Sequence, residues 1–450
     1  MIDRLTNETV ELLQALIRNQ CVNDGTPTSG HEDRSARLLR DELEGTGVDL
    51  QTYEPTPGRT SLIARHPGTD PNAPALCLMG HTDVVPVSPD GWTNDPFGGE
   101  LIADGDTLEI WGRGAVDMHN LTSSMAVVFR HLVASGKRYP GDIVYFAVAD
   151  EEAGGTHGAE ILVRDEWDAL DCQWVLTEFG GIPLFSPAGT SVLVTTAEKG
   201  LGWRRLTVRG TPGHGSRPYG ADNALIKAAE VVRRLSAYRP TPQLDELWAA
   251  RVKAMGLPDE LSRKMLDPEA LHEAIGELPA DVAGNAHACS HTTFSPNTIA
   301  GGVKANVIPD SVTIEVDIRT LPGEDTEEVE AHLRAALGDL YDAVETEIIK
   351  HDPSTASPTD NRLWDALSAS IANAYPEALV VPSMVTGGTD ARFFRNRGSV
   401  AYGAGLLSHR VDAGEFARRF HGHDERIDID SLRLTVQLWL DVIDNLWTEG

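Results

Sequence analysis

The chain has 450 residues, enough for two or three compact units, and its 41% apolar and 24% charged content is ordinary for a globular protein. A formal charge of -30 argues against nucleic acid or an anionic membrane as main partner, and no stretch approaches the roughly 18 apolar residues of a membrane span. The N-terminus lacks the basic-then-apolar order of a secretory signal, and Cys21, Cys77, Cys172 and Cys289 form no C-x-x-C pair, so buried thiols in a reducing cytoplasm are expected.

The first twenty residues carry a helical apolar pattern through Val10, Leu13 and Ile17. Short apolar runs then predict strands at 60–66, 75–81, 142–149 and 173–178. Between the second and third, Leu121, Met125, Val128 and Leu132 share one helical face. This alternation predicts an α/β sheet with crossover helices. From about residue 200 the texture changes. Alternating strands are expected at 202–210 and 311–320, helices at 221–235 and 326–340, and a strand at 343–349. That order suggests a small α+β unit with one sheet face covered. Within it, residues 240–290 form a long excursion with helical patches and weak strand signal. After about 356 the first texture returns, ending in a helix at "SLRLTVQLWLDVIDNLW". The expected organisation is an outer domain at 1–198 and 356–450, with 199–355 inserted into it.

Three predicted strands end in metal-capable groups: "GHTD" brings His81 and Asp83, "DEE" brings Glu151 and Glu152, and "TEFGG" brings Glu178. "GRGAVDMHN" places Asp117 just before a helix, and "RFHGHDERI" adds His421 and His423 before the last one. Singly, each of these is an ordinary polar turn. If the strands are parallel, their carboxyl ends gather the side chains in one place, where open α/β sheets bind ligands. Imidazoles and carboxylates without thiolates suit two zinc-like ions sharing one carboxylate.

Taken in order, "GHTDVVP", "GRGAVDM", "DEEAGG", "TEFGG", "GTPGHGSRP", "DIRTLPG", "GGTDARFF" and "HGHDER" resemble the M20 family of metallopeptidases. This group includes aminoacylases, acetylornithine deacetylases, succinyl-diaminopimelate desuccinylases and glutamate carboxypeptidases. The last two motifs look closer to the N-acyl-amino-acid hydrolase branch. The resemblance implies a zinc-exopeptidase-like mixed sheet flanked by helices, with an inserted lid and dimerisation domain. It implies two Zn²⁺ per subunit, with Co²⁺ or Mn²⁺ as alternatives. Asp117 becomes the bridging ligand, His81 and Glu178 complete one metal site, and Glu152 and His421 the other. Asp83 is expected to orient His81, and Glu151 to act as general base. His214 would reach the active site of a second subunit and stabilise the oxyanion. Arg319 and Asn306 resemble substrate contacts, and Gly388 and Thr389 are expected to offer donors to a substrate carboxylate. His119 stands where many relatives have Lys. His119, His157, His287, His291 and His423 are not expected to bind metal, and Asp150 is expected to be structural.

The implied activity is hydrolysis of an amide next to a free carboxylate, in an N-acyl amino acid or a small peptide. A dipeptidase or carboxypeptidase of the same fold is the alternative. A catalytically silent metal-binding scaffold is disfavoured, because the base and every ligand are kept. The expected state is a cytoplasmic homodimer with a small-molecule or short-peptide substrate, and with neither nucleic acid nor membrane as partner.

Overall fold

A computed structural model describes residues 1–447, apart from the side chain of residue 281. Its main sheet has ten strands. Leu76–His81, Ile143–Val148, Trp174–Thr177 and Val400–Gly403 form a parallel centre. Arg59–His66 runs antiparallel to Ile143–Val148, and Asp49–Thr56 pairs beyond it. On the other side Gly189–Glu198 pairs with Val400–Gly403 and carries Leu379–Val385 in parallel. The sheet is therefore mixed.

The central strands are apolar throughout because both faces are covered. Leu76 and Leu78 join a core with the helices Ile2–Asn19, His119–Ser135, Arg362–Ala374 and Ile429–Leu446. Cys77 and Met79 point the other way, towards Ile161–Asp165, Trp167–Leu170 and Ala391–Arg395. Gly80 permits close contact on the first face, since a Cβ there would lie 2.5 Å from Thr122 Oγ1. All four cysteines are buried and free. No helix among the described residues is long and apolar enough to cross a membrane.

A second, antiparallel sheet of five strands contains Arg204–Arg209, Ser311–Thr320 and Val344–Ile348 near their expected positions. The helices Ala224–Ala237 and Thr326–Leu337 cover one face of it. Its edge strand Thr293–Gly301 was not expected. This strand holds Pro296 at a bulge and is largely exposed, so it shows neither an apolar run nor clean alternation. The 240–290 excursion forms the helices Glu246–Met255, Asp259–Met265, Leu271–Gly276 and Ala280–Ser290. They share a core with Ala197 and Met384 of the main sheet and with Leu321, just after Ser311–Thr320, so the excursion packs against the main sheet rather than standing apart.

Candidate metal centre

The predicted convergence depends on strand direction, and the three ligand-bearing strands are parallel. Leu76 pairs with both Ile143 and Trp174, so His81, Glu151–Glu152 and Glu178 all emerge at one end of the sheet. Asp117 arrives from the turn before His119–Ser135, and His421 from the loop after Ala413–Arg419.

Asp117 divides its two oxygens. Oδ1 lies 3.1 Å from His81 Nε2, and Oδ2 lies 2.9 Å from His421 Nε2. Glu178 closes on His81 at 3.6 Å, and Glu152 on His421 at 3.4 Å. His81, Asp117 and Glu178 thus form one group able to hold a cation, and Asp117, Glu152 and His421 a second. Glu152 Oε1 is buried without a hydrogen-bond partner, a lone pair waiting for a positive charge. The donor set fits two divalent ions bridged by one carboxylate.

Electrostatics say the same. Burial, with neighbouring carboxylates, pushes Glu178 up to about 8 and Glu151 well above the usual carboxylate range. Burial opposes charge on His421, but Asp117 and Glu152 outweigh it and lift the ring to about 10. So many acids in a dry pocket call for cations.

The backbone of the centre is held by residues that motif reasoning passed over. Glu425 Oε1 accepts from the amides of Val116 at 2.8 Å and Asp117 at 3.2 Å, while Oε2 takes Arg113 at 2.6 Å. Arg113 also donates to the His421 carbonyl at 3.2 Å, tying the two ligand loops together. Asp390, in "TGGTD", is buried with both oxygens unpartnered and is pushed up to about 7 by burial. These pairings join distant segments, so only the charged residue inside each apolar or ligand-bearing motif hinted at them.

Asp83 differs in detail from expectation. The His81 ring meets its backbone carbonyl at 2.9 Å, with the carboxylate 3.7 Å away. That carboxylate instead accepts from the amides of Glu151 at 3.2 Å and Glu152 at 3.1 Å.

The substrate candidates are spread out. His214 and Asn306 meet on an exposed ribbon, where Gly213–His214 pairs with Val307–Ile308 and Gly215 N donates to Asn306 O at 2.8 Å. Arg319 is held by Asp317 through Nε at 2.7 Å and Nη2 at 3.2 Å. Thr389 does not offer the expected donors, because its amide and hydroxyl both donate to buried Glu198, at 2.5 and 3.0 Å. Gly388 lies beside Arg392. His119 Nε2 donates to the Thr82 carbonyl at 3.1 Å, and the ring is pushed down to about 4 by burial. His157 contacts Thr56, His423 lies over Gly91, and His287 stacks on His291. A narrow pocket beside Asp117 and Glu178 is walled by Leu121, Phe179, Leu407, Phe416 and Phe420.

A helix-flanked mixed sheet whose parallel strands end in two carboxylate–histidine groups, with a further half-buried glutamate beside them, defines a metal-dependent amide hydrolase. The sequence profile of peptidase family M20/M25/M40 matches residues 77–445, and the chain belongs to that family. Aminoacylase-1 of Sus scrofa is 29% identical over 393 residues, covering 87% of this chain and 84% of that protein. An M20 family metallo-carboxypeptidase from Sulfolobus solfataricus superposes with a TM-score of 0.74 at 19% identity, over 98% of this chain and 99% of that one. A dinuclear metal-binding M20 peptidase from Bacillus subtilis gives 0.61 at 14% identity, over 98% and 97%.

Proposed function

We propose that this chain hydrolyses N-acyl amino acids bearing a free carboxylate, with two divalent cations of zinc type in the centre described above. The observation that carries the reading is the division of Asp117 between His81 and His421, with half-buried Glu151 alongside. His81, Asp117 and Glu178 would hold one ion, and Asp117, Glu152 and His421 the other. When bound, the ions supply positive charge for the developing oxyanion and acidify the attacking water. The carboxylate of Glu151 takes the water's proton and passes it to the leaving amine nitrogen. Asp83 fixes the backbone on which Glu151 and Glu152 stand.

Arg319 receives the substrate carboxylate. Its Nε and Nη2 are on Asp317, which leaves Nη1 to donate. His214 and Asn306 share one exposed ribbon, an arrangement suited to delivery into the site of a second copy across a homodimer. Residues 199–355 then act as an inserted lid and dimerisation unit of a cytoplasmic enzyme. The pocket beside Glu178 favours acylase over desuccinylase chemistry. Phe179, Leu407, Phe416 and Phe420 set apolar surface beside the carboxylates Asp117 and Glu178, with no cation among the described lining residues to pair a succinyl carboxylate.

Two measurements test the reading. Glu151→Gln should keep its metal while kcat falls by at least about 10³-fold, and activity near wild type would remove Glu151 from the mechanism. N-acetyl and N-butyryl amino acids should be cleaved faster than N-succinyl ones or dipeptides. A preference for peptides with a free amino terminus would select the dipeptidase alternative.

A further inference from the structure

Behind the metal centre lies a buried polar network of which the proposed reaction uses only Asp83. Asn23, Glu32, Arg59, Asp83 and Asp150 are each at most 3% exposed and come from five separate segments. Three are carboxylates, and Arg59 is the one cation among the five. Its Nη1 donates to Glu32 Oε1 at 2.7 Å, its Nη2 to Asn23 Oδ1 at 3.0 Å, and its Nε lies 3.5 Å from Asp150 Oδ1. The guanidinium fills the space over Gly30, where a Cβ would come within 1.9 Å of Nη1 and where φ is +85°. Only glycine fits both demands.

Asn23 is the junction. Its Nδ2 donates to Asp83 Oδ2 at 2.8 Å and to Asp150 Oδ1 at 3.3 Å. Its Oδ1 accepts from Arg59 and from the amide of Gly25 at 3.0 Å. The opposite rotation of the amide would face two carboxylates with an oxygen, so the surroundings allow one orientation. Asp83 and Asp150 are the two groups that shape the catalytic turn. Asp83 accepts from the amides of Glu151 and Glu152. Asp150 sits at φ 72°, uncommon for a residue with a side chain, and its Oδ2 accepts from the His157 amide at 2.8 Å. The amide of Asp150 in turn donates to Glu32 at 3.2 Å.

We propose that Asn23, braced by Arg59 and Glu32, is a positioning residue for the hydrolysis. Acting through Asp83 and Asp150, it sets where the Glu151 and Glu152 carboxylates stand relative to the metal centre. The inference rests on the roles given above to those glutamates, but one of its readouts needs no substrate. Groups that orient ligands from behind commonly govern metal affinity and activity over about 10–100-fold.

The test uses the full-length, metal-loaded enzyme. Asn23→Ala should lower kcat by about 10–100-fold with KM within about threefold of wild type. The chelator concentration that removes half the metal should fall by about tenfold. A kcat within about threefold of wild type and unchanged metal retention, even with a lower Tm, would overturn the proposal and leave Asn23 a structural residue. If Asn23→Ala does not fold, Arg59→Lys decides on the same criteria, because it keeps the charge but loses the fork that reaches Glu32, Asn23 and Asp150 together. Should wild type cleave no acyl amino acid, the metal-retention arm still reads, which separates failure of this inference from failure of the substrate assignment.

Discussion

The end of the main sheet and the exposed two-stranded ribbon of Gly213–His214 and Val307–Ile308 hold their candidate groups in opposite ways. His81, Asp117 and Glu178 are at most 5% exposed, and each stands on backbone fixed by strand pairing or by a second buried side chain. His214 and Asn306 are exposed, touch each other's turn, and meet no part of the metal centre among the described residues. Holding cations among many carboxylates requires a rigid, dry, preassembled cage. Handling substrate requires entry and exit, so under the proposed function those groups belong on a separate layer that completes the site from outside. One region should therefore fail in metal content and kcat, and the other in kcat or KM with metal intact.

Asp117→Asn should have the largest effect, because it removes the shared charge from both groups at once. Metal analysis should find no more than one ion bound per chain, with activity down by at least about 10³-fold. Two tightly held ions in that variant would contradict a bridging role. His214→Ala should keep full metal and lose about 10²–10³-fold in kcat, the usual cost of one oxyanion donor. Co-expressing it with Glu151→Gln sharpens the comparison. In a homodimer where each His214 serves the other chain, mixed pairs restore one intact site, so about a quarter of wild-type activity should return. No recovery would place His214 outside the neighbouring site. Arg319→Lys should be milder, raising KM by about 10–100-fold as a charge-assisted bond is weakened, with kcat and metal little changed. A change in kcat alone would mean that Arg319 acts on the reacting bond rather than on the carboxylate.

The two regions also differ in how much of them the sequence disclosed. Ligands at the carboxyl ends of buried parallel strands announce themselves, because seven apolar residues from Ile143 to Ala149 give way to Asp150, Glu151 and Glu152 at a single step. The supports behind them leave no such mark. Arg113 and Glu425 lie 312 positions apart, and Asn23 and Asp150 lie 127 apart, so no local period or spacing connects them. In the second sheet, Ser311–Thr320 is half buried and alternates cleanly, with every second residue inside. Thr293–Gly301 pairs along most of its length yet reads as loop, since an edge strand exposes residues on both sides and tolerates proline. Thr389 shows a different limit. A glycine-rich loop beside a catalytic motif suggests free donors, but whether they are free depends on Glu198, far away in the chain.

The smallest effect belongs to the helical excursion, away from the chemistry. His291 stacks on His287 with ring centroids 4.4 Å apart, and Lys199 donates to the His291 carbonyl at 2.6 Å. Burial, followed by the charge that His287 would carry, pushes His291 down from 6.5 to about 4. Burial lowers His287 as well. The unfolded chain therefore binds a proton between about pH 4 and 6.5 that the folded chain refuses at His291. Stability is unaffected by this group above that window and declines as pH falls through it, by at most about 3 kcal/mol. His291→Asn keeps a polar atom near the Nδ1 position, 2.9 Å from Ser290 Oγ, but takes up no proton. Urea unfolding of metal-free protein should show wild type losing stability faster than the variant from pH 6.5 to 4, with parallel curves above. The carboxylates of the metal centre titrate in both proteins and cancel in that difference. Parallel curves across the whole range would mean that the excursion opens enough at low pH for His291 to titrate as in water.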